Sequence, residues 1–287
     1  MAMVDNLLLK LREIKESLTP AEKKVAEYVL AYPEEVPRYS IKKLANKSKT
    51  SDASVVRLCK TLGYDGYRQF IVSITAELAA RVQDSGEEYT DIRPGDDLDT
   101  IIKNISLNNC RSIEDTLMVI DFDSIKKAVG LLSTARRIDF YGIGASGLVC
   151  WDAQQKFMRI NKICHAHTDG HSQLTSASML TGGDVAVIIS NTGTTVEIVD
   201  TLKLIKETEA NVIAITRYGK NILSANADVV LFFSTPEITI RSGAMGSRIA
   251  MLNIVDILFS GVASMEYKSI KKYLDKTHNV LLDKHIN

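Results

Sequence analysis

Between Ile188 and Asp200 the sequence reads I-I-S-N-T-G-T-T-V-E-I-V-D. An apolar run stops at Ser190, and Asn191, Thr192, Gly193, Thr194 and Thr195 stand before a second apolar-periodic run. None of these residues is cationic, so the chemistry they offer is hydrogen bonding from hydroxyls and backbone amides. A strand-to-helix turn presents the unpaired N–H groups of a helix start and the positive end of a helix dipole, roughly half an elementary charge. Such a turn can hold an oxyanion, in particular a phosphate monoester, without lysine or arginine. Gly193 permits close approach of the backbone. A related stretch, Gly142-Ile-Gly144-Ala-Ser146-Gly147, follows another β-rich run and opens another helix. It matches G-x-G-x-x-G, which also suits a nicotinamide dinucleotide. That reading wants an acid ending the next strand about 20 residues on, whereas Asp169 falls in a turn-like T-D-G-H. The absence of G-K-[ST] argues against a Walker-type nucleotide site. Ligands of parallel sheets collect beyond the carboxyl ends of the strands, so Ser146 and residues 190–195 are expected to face one crevice.

A second chemistry is written near the amino end. From Arg38 to Arg68 eight basic residues stand against two acidic ones, and from Asp84 to Asp99 seven acidic residues stand against one basic, in a chain with net charge zero. A local basic cluster attracts polyanions even when the total is balanced. A short helix from Ser40 to Asn46, a turn, and a helix over about 50–62 form a helix-turn-helix layout. On the second helix Val55, Leu58, Cys59 and Leu62 share one side, while Ala53, Val56, Arg57 and Lys60 share the other. The second set suits a DNA major groove, Val56 against a thymine methyl and Arg57 bidentate to guanine. Lys42, Lys43, Lys47, Lys49 and Arg68 read as phosphate contacts, and Ser51 and Ser54 can donate to phosphate. A three-helix bundle with a solvated basic face is the alternative. Cys59 reads as a packed thiol.

These residues need two kinds of scaffold. Residues 1–82 read as all-helical: Leu7, Leu8, Leu11 and Ile14 recur at helix spacing, and Thr19-Pro20-Ala-Glu22 is a capping-box pattern with proline at the first helical position. Residues 83–97 carry Gly, Pro and acids without apolar periodicity and read as a linker. From 98 to 287 two helices precede five β-rich runs (RIDFYGI, KICHAH, DVAVIIS, NVIAIT, DVVLFF) alternating with helical ones, which implies α/β: a five-stranded parallel sheet sandwiched by helices. Two long helices close the chain, the first unusually apolar through Met245, Met251, Leu252, Ile254, Val255, Leu258 and Phe259, where core burial plus a dimer seam explains the excess. Trp151 reads as packing. No apolar run approaches the roughly 18 residues of a bilayer span, and no signal-peptide pattern stands at the amino end, so a cytoplasmic location is expected. The four cysteines (Cys59, Cys110, Cys150 and Cys164) form no C-x-x-C pair, which argues against a disulfide framework or a cysteine-rich zinc site.

The chain resembles the RpiR family of bacterial transcription regulators, an N-terminal helix-turn-helix joined to a sugar isomerase (SIS) domain. The matching pieces are LTPAEKKVAEYVL at 18–30, SIKKLA and TSDASVVRLCKTLGYDGYRQF up to Phe70, YGIGASG at 141–147, SNTGTT at 190–195 and RSGAMGSRIAMLNIVDILF at 241–259. The SIS signature resembles S-x-S-G-x-T; here Thr192 replaces the middle serine and keeps the hydroxyl. The resemblance implies a flavodoxin-like SIS fold. It also implies that Ser146, Ser190, Thr192 and Thr195 bind the phosphate of a phosphosugar, with Asn191 and Gly193 helping. A homodimer or dimer of dimers on operator DNA, with effector binding altering operator affinity, follows from the same likeness. His171, at a helix start, is the candidate for a sugar hydroxyl or acetamido contact, and Glu237 and Arg241 follow the last strand and can reach the same crevice. His165, His167 and His171 form H-x-H-x-x-x-H, but no cysteine or tight carboxylate completes a metal site, so neither metal nor cofactor is expected. The competing function is an aldose–ketose phosphosugar isomerase, which would need a general base such as Glu237 or His171.

Overall fold

The computed structural model describes residues 7–81, 95–235 and 244–282, and the chain divides near residue 88 into two compact units. The first is all-helical: α1 (Leu7–Ile14), α2 (Pro20–Ala31), α3 (Ile41–Lys47), α4 (Asp52–Thr61) and α5 (Tyr67–Arg81). Its core gathers Leu7, Leu11, Val25, Val29, Leu44, Val55, Leu58, Phe70 and Ile74. The capping box at Thr19–Glu22 forms as the spacing implies. Glu22 does more than cap: its carboxylate also accepts the Thr61 hydroxyl at 2.9 Å, tying the start of α2 to the last turn of α4. Burial raises the Glu22 pKa, but hydrogen bonds from Thr19 and Thr61 outweigh it and hold the carboxyl below its ordinary value.

The second unit runs α6 (Leu98–Val119), α7 (Phe122–Thr134), β1 (Arg137–Tyr141), α8 (Ala145–Arg159), β2 (Cys164–His167), α9 (Gly170–Ala177), β3 (Asp184–Ser190), α10 (Val196–Lys206), β4 (Asn211–Arg217), α11 (Ile222–Asn226), β5 (Val229–Phe233), α12 (Met245–Met265) and α13 (Tyr267–Leu282). The five strands are parallel in the order β2-β1-β3-β4-β5. All seven residues of β3 are buried, as a central strand covered on both faces requires. Side chains alternate along it: Val185, Val187 and Ile189 enter one core with Leu132, Phe157, Ile254 and Leu258, while Ala186 and Ile188 enter the other with Ile198, Leu202 and Leu223. The chain leaves β1 toward one sheet edge and β3 toward the other, so the gap between their carboxyl ends is a topological switch point.

Helix α12 has the length and mean hydropathy (1.5) of a membrane span, unlike the expectation from uninterrupted apolar runs. Arg248 and Asp256 interrupt it, and Ala250, Met251, Ile254, Val255, Leu258 and Val262 are buried in the sheet core. Its first turn meets α6 so closely that a Cβ on Gly246 would lie 2.6 Å from Ser112 Oγ and 2.7 Å from Thr235 Oγ1. Trp151 is 52% exposed, contrary to the packing role expected. The buried side of α8 is set by Val149, Cys150, Ala153 and Phe157, and Trp151 lies off that stripe.

Candidate functional site

The cleft lies at the switch point and has a volume of about 110 Å3. Ser146 from the start of α8 lines it, with Ser190, Asn191, Thr192 and Thr195 from the β3–α10 turn, so the two turns singled out in sequence meet. Gly193 holds the turn with φ +64°, its N–H donating to Ser190 Oγ at 3.1 Å. Ser190 therefore accepts from its own turn and keeps its hydroxyl proton for a ligand. Thr192 Oγ1 likewise accepts Thr194 N–H at 3.4 Å. Asn191 Oδ1 is buried and has no hydrogen-bond partner among the described residues, an acceptor that a ligand hydroxyl or acylamino N–H would satisfy.

A third wall was not legible beforehand: Ala244, Ser247 and Met251, from the first two turns of α12, complete the lining with Ile143, Ala145, Ile189 and Ile198. Three helix starts thus converge, and they differ from the rest. Helices α2, α3, α4, α6, α7, α9 and α11 each carry a side-chain N-cap, from Thr19, Ser40, Ser51, Asp97, Asp121, Asp169 and Asn221. The cap positions of α8, α10 and α12 are Gly144, Thr195 and Ala244, and none supplies a capping hydrogen bond. Gly144 and Ala244 hold φ of 59° and 55°, an uncommon conformation for the alanine. The first N–H groups of a helix need acceptors, and at these three starts the side chain of the cap residue supplies none.

Other expected contacts fall elsewhere. His171 is exposed in the first turn of α9 and does not line the cleft. Asp169 caps that helix, accepting Ser172 N–H at 2.9 Å, which accounts for the acid near the glycine motif without a dinucleotide. Glu237 and Arg241 lie outside the described residues. No set of three metal-ligating side chains comes together among the described residues.

His167 instead joins a buried charge network that sequence reading missed. Asp139, wholly buried on β1, accepts from Arg137 Nε at 2.8 Å and Nη2 at 2.6 Å, from His167 Nε2 at 3.1 Å, from Tyr141 Oη at 3.2 Å and from Ser176 Oγ. Burial pushes the Asp139 carboxyl up, but hydrogen bonds from His167, Arg137 and Ser176 prevail and hold it well below the usual carboxylate range. A depressed pKa stabilises the fold fully above the unfolded value near about 4, and that contribution is lost as pH falls toward the folded value. Asp139→Asn should therefore lower stability by about 3–5 kcal/mol at neutral pH and flatten the acid limb of the stability curve. Denaturant melts from pH 3 to 7 check both, and an unchanged acid limb would assign the pH dependence to other carboxyls.

On the helical unit, α3 and α4 flank a turn closed by Thr50 N–H donating to Ala45 O at 2.8 Å, with Lys49 left-handed at φ 53°. Val55, Leu58, Cys59 and Leu62 are buried, and burial pushes the Cys59 thiol up to about 12. Ala53, Arg57 and Lys60 are exposed and Val56 is half-buried. Lys42, Lys43, Lys47, Lys49 and Arg68 are all exposed, Lys43 with its ammonium 4.3 Å from the Tyr39 ring centroid. Ser51 is exposed and caps α4. Ser54 corrects the expectation: at 3% exposure it does not reach a phosphate. Its oxygen lies 3.0 Å from Ser51 Oγ and accepts from Arg57 Nη2 at 3.4 Å, so it orients the arginine.

A helix-turn-helix domain of the rpiR family matches residues 5–81, and the SIS domain matches residues 131–261. An uncharacterized HTH-type transcriptional regulator of Caldanaerobacter subterraneus subsp. tengcongensis is 42% identical over 98% of this chain and 99% of its own. The HTH-type transcriptional regulator HexR of Pseudomonas aeruginosa is 34% identical over 90% of this chain and 89% of its own. Among solved structures, Vibrio vulnificus NanR complexed with ManNAc-6P superposes with a TM-score of 0.62 at 28% identity, covering 98% of this chain and all of that one. An exposed basic face on the helix-turn-helix, a cleft at a parallel-sheet switch point whose described lining holds no cation, and full-length likeness to such regulators converge: the chain belongs to the RpiR family of helix-turn-helix transcription regulators with a SIS domain.

Proposed function

We propose that the cleft binds a phosphosugar, and that its occupancy controls the affinity of the α3–α4 unit for operator DNA in the cytoplasm. The observation that carries the first half is the trio of uncapped helix starts. Three sets of N–H groups, three aligned dipoles and the hydroxyls of Ser146, Ser190, Thr192 and Thr195 suit a dianionic phosphate. Ser190, Asn191, Thr192, Gly193 and Thr195 are the phosphate turn in this reading. An amino-sugar 6-phosphate is the preferred class: NanR, similar over the whole chain, is complexed with ManNAc-6P, and the unpartnered Asn191 Oδ1 offers an acceptor to an acylamino N–H. His171, Glu237 and Arg241 remain candidates for the sugar end.

The chain acts in this reading as a sensor and not as an isomerase. Among the described residues lining the cleft none is Asp, Glu, His, Lys or Arg; of the bases an isomerase could use, His171 does not line it and Glu237 lies outside the described residues. For the ligand to regulate, it must bind two states of the protein with different affinity. A homodimer, which sets two reading helices against a two-fold operator, supplies such states.

Thermal-shift screening against hexose, pentose and hexosamine phosphates tests the reading, since a ligand bound only to the folded state raises the melting temperature. Ser190→Ala should weaken the stabilising ligand about tenfold, one hydroxyl donor amounting to about 1–2 kcal/mol, while leaving operator binding unchanged. No stabilisation by any member, or turnover of one, would remove the sensor reading.

A further inference from the structure

Helix α6 is amphipathic in reverse. Its buried residues are Asn108, Ser112 and Thr116, four apart, and hydroxyls fasten it. Thr116 Oγ1 accepts Ser234 N–H at 3.2 Å and lies 3.0 Å from Ser234 O, and Ser112 Oγ lies 3.2 Å from Thr235 Oγ1. Its aliphatic residues face away, with Ile102, Ile113 and Leu117 at 56%, 40% and 55% exposure. A surface helix ordinarily turns its apolar stripe to the core. At about 100° per residue, Ile102, Ser106, Cys110, Ile113 and Leu117 fall in one stripe about 80° wide, while Leu98, Ile101, Leu107 and Met118, also exposed, lie outside it.

We propose that this seam is a subunit interface in which α6 packs antiparallel against α6 of a second copy, about a two-fold axis near Asn109 and Cys110. The inference rests on the dimeric reading above and adds where the copies meet. The stripe is self-complementary about that axis, as an isologous contact requires: Ile102 falls opposite Leu117 of the partner subunit, and Ser106 opposite Ile113 of the partner subunit. The small residues Ser106 and Cys110 at the centre let the helices approach closely. Charge decides the orientation. Lys103 and Glu114 are exposed on the same flank of the stripe. Antiparallel two-fold packing brings like flanks together, so each Lys103 meets Glu114 of the partner subunit, twice. A parallel pair would set that flank against the opposite one and lose both ion pairs. The pair also separates the two starts of α6 by about 35 Å, at 1.5 Å rise per residue, the scale of one operator half-site spacing.

The native thiols provide the test, because Cys110 is exposed while Cys59, Cys150 and Cys164 are buried. Sedimentation of the full chain reads the mass, and a short bismaleimide reads thiol proximity. The expected results are a dimer mass and a covalent dimer that Cys110→Ser abolishes. Ile113→Glu should give monomers of unchanged circular dichroism. Lys103→Glu should weaken the dimer at least tenfold, and Lys103→Glu with Glu114→Lys should restore it. A dimer mass without cross-linking overturns the α6 interface and leaves the dimeric reading standing. So does a dimer that survives Ile113→Glu but is split by Trp151→Glu, which would place the seam on α8. A monomeric wild type at all concentrations overturns the dimeric reading itself.

Discussion

Gly193→Ala should weaken phosphosugar binding about tenfold and lower the melting temperature of the α/β unit. Two costs coincide at this position. The backbone is left-handed, which a residue with a Cβ adopts at a cost of about 1–2 kcal/mol. The new Cβ would also overlap the Asn221 amide. Asn221 has no free direction to move, since it caps α11 by accepting Ser224 N–H at 2.8 Å and donates to Thr216 Oγ1 at 3.2 Å. Losing that cap adds about 1 kcal/mol. The total of about 3 kcal/mol is shared between stability and affinity, because relaxing the turn moves the N–H groups of residues 193–195 away from the anion, and 1.4 kcal/mol is tenfold in binding. Gly130→Ala is the control, for its Cβ meets nothing within 4 Å and its φ is ordinary. Calorimetry with the phosphosugar that most stabilises the native chain in the thermal-shift screen, and thermal melts of both variants, give the readouts. Equal affinity in Gly193→Ala and the native chain would move the anion away from this turn.

How much of this could be read from residues alone follows from which interactions are local. The capping box at Thr19–Glu22, the α3–α4 pair and the alternation in β3 depend on neighbours a few positions apart, so pattern reveals them. Both strand-to-helix turns were visible for the same reason. The third wall of the cleft was not, because α12 begins 50 residues beyond Thr195 and nothing in A-M-G-S-R announces its destination. One signal was available: Gly144 and Ala244 carry no side-chain oxygen that could accept a capping hydrogen bond. Thr195 is, and only the structure shows that it makes no cap.

The misses have equally plain causes. Ser54 stands near the helix start, where hydroxyls often donate to phosphate, yet it lies four positions before Leu58 and shares that buried side. Trp151 was placed inside by residue type, although Val149, Cys150, Ala153 and Phe157 already fix the inner face of α8. In R-I-D-F-Y the period of two sets Arg137, Asp139 and Tyr141 on one face, but their partners Ser176 and His167 come from other elements. Inverted amphipathicity in α6 escapes a hydrophobic-pattern search altogether, since the apolar residues keep helical spacing while facing the wrong way.

Arg57→Ala should abolish specific operator binding at physiological salt while leaving phosphosugar affinity intact. Arg57 is exposed on α4 between half-buried Val56 and exposed Lys60, with Ser54 beneath it and Glu22 close enough to feel its charge. A bidentate arginine–guanine pair contributes about 1–3 kcal/mol of discrimination. In a two-fold complex it acts twice, about 2–6 kcal/mol, or roughly 30-fold to more than 10⁴-fold. The comparison with Lys47→Ala separates reading from attraction. A phosphate contact carries no sequence information, so its loss should weaken cognate and random DNA alike and reduce the salt slope by about one per contact. Arg57→Ala should instead collapse the ratio of cognate to random affinity. Fluorescence anisotropy across a salt series, with both DNAs and both variants, measures this. If Arg57→Ala kept the cognate ratio, or lost phosphosugar binding along with the operator, the assignment of reading to α4 and of sensing to the cleft would fail together.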